Sequence, residues 1–174
     1  LLHEKTKTEV LDMWMTYHET KDRVHGSVCS AEDGKIILER AERLKFFIQP
    51  IFREDGFFVL LSQFQTPSHF LLAYLEDYKM DPNRAQPLLT FSIFNDLADS
   101  HDISLLRLDI INKGIEEDEG RKVMEHMIDA YRIDEGYTQV KAFNEEPVSF
   151  DVDDYISCMN QKWKADGSGD TIVE

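Results

Sequence analysis

Among the 174 residues, the side chains best suited to chemistry stand near the amino terminus, where His18, Asp22 and His25 follow one another at helical spacing. On one continuous helix that spacing puts two imidazoles and a carboxylate on a single face, a ligand set for a divalent metal with open positions for water. Exposed polar residues near a helix C-terminus, where His interacts favourably with the dipole, account for the same three residues more simply. His101-Asp102 has the composition of an acid/base pair. It follows Asn95-Asp96 and Asp99-Ser100 in a turn-rich stretch, so turn chemistry is the stronger reading. Cys29 lies near His25, but nothing in the sequence lowers its thiol pKa as a nucleophile requires.

Nucleotide chemistry finds no support. None of the eight glycines completes a Walker loop, and G-x-G-x-x-G, H-E-x-x-H, G-x-S-x-G and EF-hand patterns are absent. No cofactor and no bound metal are therefore expected, and no catalytic residue is assigned. The four acids Glu116 to Glu119 suit the positive end of a helix dipole and read as a solvated helix start. Asp plus Glu number 34 against 19 Lys plus Arg, a formal charge of -15. Nucleic acid and anionic membrane surfaces recruit clustered cations, so both are poor partners for this chain.

Two cysteines outside any C-x-x-C pair argue against a zinc knuckle or disulfide scaffold and fit a reducing compartment. The longest apolar run, Phe70 to Leu75, is far short of the ~20 residues that span a bilayer, so no membrane insertion is expected. The opening Leu-Leu-His-Glu-Lys-Thr does not resemble a signal peptide.

Stepping from side chains to the elements that must carry them, Val10, Trp14, Tyr17 and Val24 recur at helical spacing after a Thr6/Glu9 capping box. They predict one amphipathic helix from Thr6 to about His25. Ser30 and Asp33 open a second helix through Ile37, Ala41 and Leu44. Phe46 to Ile48 and Phe57 to Leu61, separated by Arg53-Glu54-Asp55-Gly56, read as a hairpin. Further strands are expected at His69 to Asp77, Leu88 to Phe94, Ile103 to Ile111 and Tyr137 to Phe143. Helices are expected at Glu116 to Asp134 and, briefly, after Asp153. The short links favour antiparallel neighbours. The expected fold class is α+β: a mainly antiparallel sheet of about six strands with N-terminal and internal helices packed on it. Residues 1–161 form one domain in this reading, and the polar stretch Lys162 to Glu174 a loose tail.

A more specific likeness lies in the first helix. Trp14, Tyr17, His18, Lys21, Asp22 and Val24 make a W-x-x-Y-H-x-x-K-D-x-V string that resembles the N-terminal signature of the mitochondrial ATP synthase assembly factors, chaperones of the β subunit of the catalytic head. Arg40-Ala41, Phe47-Ile48-Gln49-Pro50, Arg53 before Gly56 and Gln63-Phe64 continue in register. Ala85-Gln86-Pro87-Leu88, the strand from Ile103, the helix around Tyr131 and Ala142-Phe143-Asn144 then follow in the family's order. The likeness spans residues 8 to 156. Phe64 stands where the family favours Trp, and Leu44-Lys45-Phe46 replaces a Cys-Pro-containing stretch.

The resemblance implies an ATP-independent chaperone of the mitochondrial matrix, not an enzyme, that binds the unassembled β subunit and keeps it from aggregating until it pairs with α. A monomer is expected. Two other readings compete: a stoichiometric structural subunit of a divergent ATP synthase derived from that chaperone, and a small metal-dependent enzyme built on His18, Asp22 and His25. For the partner surface, Tyr17, His18, Lys21 and Asp22 are expected on the outer side of the first helix. On the strand from Ile103, alternation divides Ile103, Leu105 and Ile111 from Leu106, Leu108 and Ile110. The first set is interrupted by Arg107 and Asp109 and is expected to face outward, making Ile103, Leu105 and Arg107 candidate contacts as well.

Overall fold

The computed structural model describes residues 1–168. Helix α1 (Lys7–Glu19) opens on the expected capping box: the Thr6 hydroxyl accepts from the Glu9 amide at 3.2 Å, and the Glu9 carboxylate accepts from the Thr6 amide at 2.8 Å. It stops well short of His25. The Thr20 hydroxyl and the Lys21 amide donate to the Tyr17 and His18 carbonyls, and Arg23 adopts a left-handed backbone with φ 63°. The chain then reverses into strand β1 (Val24–Ser30). Gly26 and Ser27, expected to interrupt a helix, lie in the middle of that strand.

Ser30 caps α2 (Ala31–Arg43), its hydroxyl accepting from the Asp33 amide at 3.1 Å. The hairpin of β2 (Phe46–Arg53) and β3 (Gly56–Gln65) turns at Glu54-Asp55 as expected. Strand β4 (His69–Tyr74) ends earlier than expected, giving way to the short helix α3 (Leu75–Met80). Strand β5 (Leu89–Phe94), the one-turn α4 (Ala98–His101) and β6 (Ile103–Ile110) follow, then α5 (Glu117–Arg132).

The six strands form one antiparallel sheet in the order β1-β6-β5-β4-β3-β2, so the α+β class holds. The sixth member is β1, however, and not Tyr137 to Phe143. That segment is helix α6 (Asp134–Glu145). Its β-branched and aromatic residues suit a strand, yet Tyr137, Val140 and Phe143 recur every third position, and Val140 is fully buried. Gly136 makes the sharp turn-back onto α5 feasible, since a Cβ there would sit 2.7 Å from the Asp129 carbonyl. The final helix, α7 (Val152–Ser168), runs longer than expected. Within the stretch read as a tail, Trp163 is only 9% exposed and packs on Phe52 at 5.7 Å, because the Lys122 ammonium and the His126 ring complete its cage. Residues 169–174 of that stretch lie outside the described residues.

Register sorts the sheet into two faces. Leu106, Leu108 and Ile110 share one with Phe91, Phe70 and Phe47, and this face carries α2, α5, α6 and α7 over the main core. Phe70 meets Tyr131 of α5 at 5.2 Å, and Phe47 meets Phe143 of α6 at 5.9 Å. Ile103 and Leu105 point to the opposite face, where α1 lies across β1 and β6 and forms a second, smaller core with Val10 and Leu97.

Candidate partner-binding site

Helix α1 covers only one end of the second sheet face. Its buried positions are Val10 and His18, with Trp14 half-buried between them. The Trp14 indole is anchored by two backbone oxygens, donating to the carbonyls of Ser27 at 3.1 Å and Leu106 at 3.2 Å. Beyond it the sheet is open. A groove of about 600 Å³ is walled by Trp14 and Phe94, floored by Leu105 and closed at its ends by Leu2 and Arg107. The Trp14 and Phe94 rings meet edge to face at 6.0 Å, a favourable aromatic geometry.

Several apolar side chains around this groove face water. Tyr17 is 51% exposed, Met13 one helical turn away 48%, and Phe94 37%. Two of the charged groups nearby are already engaged, whereas Asp96, also in the lining, has no ion pair among the described residues. Arg107 grips the Asp109 carboxylate through Nε and Nη2 at 2.8–3.1 Å. Those bonds, reinforced by the Tyr17 hydroxyl, outweigh burial and raise the guanidinium pKa further, so the arginine stays charged at any working pH. The Lys21 ammonium rests 5.0 Å over the Tyr17 ring. The site is thus an aromatic and aliphatic trough with a charged rim, the anatomy of a transient protein contact.

The expected contact residues divide accordingly. Tyr17, Leu105 and Arg107 come together here, with Lys21 at the margin. His18 does not lie outward: it is 4% exposed, donates from Nδ1 to the Trp14 carbonyl at 2.6 Å and meets the Trp14 ring at 4.3 Å in a tilted arrangement. Asp22 is exposed in the turn after α1, and Ile103, 2% exposed, belongs to the small core. The outward assignment of Ile103 and Leu105 fails because α1 supplies a second layer over their face. Phe94, Leu97 and Leu2 were missed. A signal existed for Phe94, which shares its strand face with Thr90 and Ser92 instead of with Phe91 and Ile93.

The metal arrangement dissolves for the same reason that α1 ends early. His18 is under the helix, Asp22 is in the turn, and His25 sits on β1 donating from Nε2 to the Glu117 carbonyl at 2.7 Å. Among the described residues no cluster of three His, Cys, Asp or Glu side chains is placed to hold a metal ion. His101 serves a turn: Ser100 donates to its Nδ1 and its Nε2 donates to the Lys5 carbonyl at 2.6 Å. Burial, with Asp33 nearby, pushes the Cys29 thiol up to about 11. Glu119 is not a solvated helix-start acid but is 7% exposed and held by the Arg53 guanidinium through two 2.9 Å bonds.

The family model of the ATP11 protein matches residues 1–156, which take in α1, the whole sheet and every residue of the groove. The chain belongs to the ATP11 family. That family consists of mitochondrial ATP synthase assembly factors and is not a known enzyme family, which gives this chain a role in ATP synthase assembly and a mitochondrial location. No curated protein matches the chain. Among the described residues, no helix is long and apolar enough to cross a membrane.

Proposed function

We propose that this ATP11-family chain is a monomeric matrix holdase that binds the unassembled β subunit of mitochondrial ATP synthase without ATP and yields it to the α subunit. The observation that carries the reading is the open trough beside α1, where Trp14 and Phe94 stand over an apolar floor and Tyr17 lies exposed beside Arg107 at the rim. An unassembled subunit exposes apolar interface that aggregates unless a complementary surface covers it. The net charge of -15 keeps the resulting complex dispersed. Release follows when the authentic neighbour wins by a few kcal/mol, each ~1.4 being tenfold in affinity. No side chain of the trough acts on a covalent bond in this scheme.

The test is aggregation of refolding β subunit, followed by light scattering without nucleotide. Equimolar protein suppresses it, whereas Tyr17→Asp and Phe94→Asp, both at exposed positions, leave the chaperone folded and remove most of the suppression. Raising salt to about 0.5 M weakens capture only slightly, since screening acts on exposed charges and spares apolar burial. Suppression that needs ATP, that extends equally to unrelated proteins, or that survives both substitutions would overturn the proposal.

A further inference from the structure

On the other side of the sheet, the outer layer of helices holds a cavity that the trough does not use. It has a volume of about 340 Å³ and lies where α5, α6 and α7 converge above β2. Its base is aromatic: the rings of Phe47 and Tyr155 stand 5.2 Å apart. Its rim is acidic, with Asp129 on α5, Glu135 on α6 and Asp154 on α7. Asp129 is already engaged by Arg132 at 3.0 Å, but Glu135 and Asp154 have no cationic partner among the described residues. Of the cations in the wall, His126 is turned to Asp166 at 2.9 Å, and Lys162 makes no ion pair with either carboxylate among the described residues.

A second feature gives an occupant a neutral polar group to pair with. Tyr155 is only 9% exposed, and its hydroxyl makes no hydrogen bond among the described residues. Burial pushes that phenol far above its ordinary pKa, so it stays a neutral donor and acceptor. The hydroxyl is not one of the buried, unpaired polar atoms, so it opens to the cavity and is available to pair with an occupant. Aromatic faces below, free carboxylates above and an unpaired hydroxyl between them suit a planar cation with several N–H donors. A guanidinium meets all three demands, whereas an ammonium offers a point charge that does not stack.

We propose that this cavity is a second docking site that takes an arginine side chain presented by a segment of a partner protein. It lies across the sheet from the trough, so the two sites can be occupied together, and it stands whether or not the trough takes the β subunit. Cys158 lines the cavity and is exposed, which provides a reporter. Cys29 stays silent at neutral pH because its thiol is raised to about 11.

The experiment follows alkylation of Cys158 by a maleimide in the full chain while acetyl-Leu-Arg-Leu-amide is titrated in, with the citrulline peptide of equal shape as control. The arginine peptide is expected to slow alkylation saturably with a Kd near or below about 1 mM, and the citrulline peptide to bind at least about tenfold more weakly. Glu135→Gln with Asp154→Asn, both at exposed positions, abolishes protection while the protein stays folded with at most a small loss of Tm from the two helix first turns, and Tyr155→Phe weakens it. The Phe94→Asp variant protects as the parent does, which separates failure here from failure of the trough. Equal protection by citrulline, protection that survives the double substitution, or none at millimolar peptide would overturn the assignment.

Discussion

His18 occupies the space in which a side chain at residue 26 would lie: a Cβ built on Gly26 would stand 2.5 Å from His18 Cγ. The imidazole of α1 thus rests directly on the backbone of β1, and the bare glycine is what allows the helix to settle that close to the sheet. Gly26→Ala should cost about 1–3 kcal/mol through overpacking. His18→Ala should also destabilise, contrary to the expectation for a surface histidine, because it empties a buried site. In the His18→Ala background the alanine at 26 should cost much less, and a double-mutant cycle by chemical denaturation measures that coupling. Additive losses would mean that the two residues do not share this space.

Leu105→Asp is expected to unfold the protein. The side chain is 4% exposed and belongs to the small core under α1, where an unpaired carboxylate has no partner and places the substitution among the severe ones, beyond about 4 kcal/mol. Loss of the cooperative transition in circular dichroism checks this. A folded Leu105→Asp protein would place α1 off the sheet.

Glu119 and Arg53 predict an acid limb. Burial alone would raise the Glu119 pKa, but hydrogen bonds from Arg53 and from the Glu116 amide outweigh it and hold the carboxyl below its ordinary 4.5. A depressed carboxylate contributes stability that is fully present above the unfolded value and is lost as pH falls through the folded one. Stability should therefore decline below about pH 4.5 more steeply than in Glu119→Gln. At neutral pH Arg53→Ala should cost about 1–3 kcal/mol. Parallel stability curves for parent and Glu119→Gln would contradict this.

How far the sequence revealed all this depends on what each signal measures. The hairpin at Glu54-Asp55 and the capped starts of α1 and α2 depend on local chemistry, so they could be read directly. Strand β1 could not: Val24, Gly26 and Val28 alternate with polar residues too weakly to announce a strand, and its place is fixed by β6 and by Glu117, far along the chain. Alternation in β6 was legible, but nothing local said that α1 would cover Ile103 and Leu105. In α6 the residue types favoured a strand while the spacing favoured a helix, and packing of Val140 under α5 decided it. Of the trough, Leu105 and Arg107 were found through the alternation in β6, and Tyr17 at its rim through the helix signature. Phe94 and Leu2 join it only through the fold.

Trp163 belongs to the core, so Trp163→Ala should cost about 3–5 kcal/mol. A chain ending at residue 161 should lose at least as much, because it removes the Trp163 ring from Phe52, His126 and the Lys122 ammonium, 4.6 Å away, together with the Asp166 partner of His126. Thermal denaturation of both variants measures it. Unchanged midpoints would return this segment to the status of a tail.

Native alkylation at pH 7 should modify one thiol, Cys158, while both react in denaturant, since Cys29 is half-buried with its pKa raised to about 11. Mass spectrometry of the labelled protein gives the count directly. Rapid native labelling of Cys29 would show that β1 opens on the time scale of the reaction.

The place of β1 in the sheet also dictates an order of assembly. Val24 pairs with Asp109 and Ser30 with Ile103, so the first strand of the chain has no neighbour until the last one exists. Strands β2 to β6 form a meander of successive neighbours that can close step by step. The pairing of β1 alone spans most of the domain and bears the slow loop closure. A chain made or threaded from its amino terminus must therefore wait with its signature helix undocked. The trough, walled by that helix on one side and β5 on the other, cannot come into being before β6 is in place.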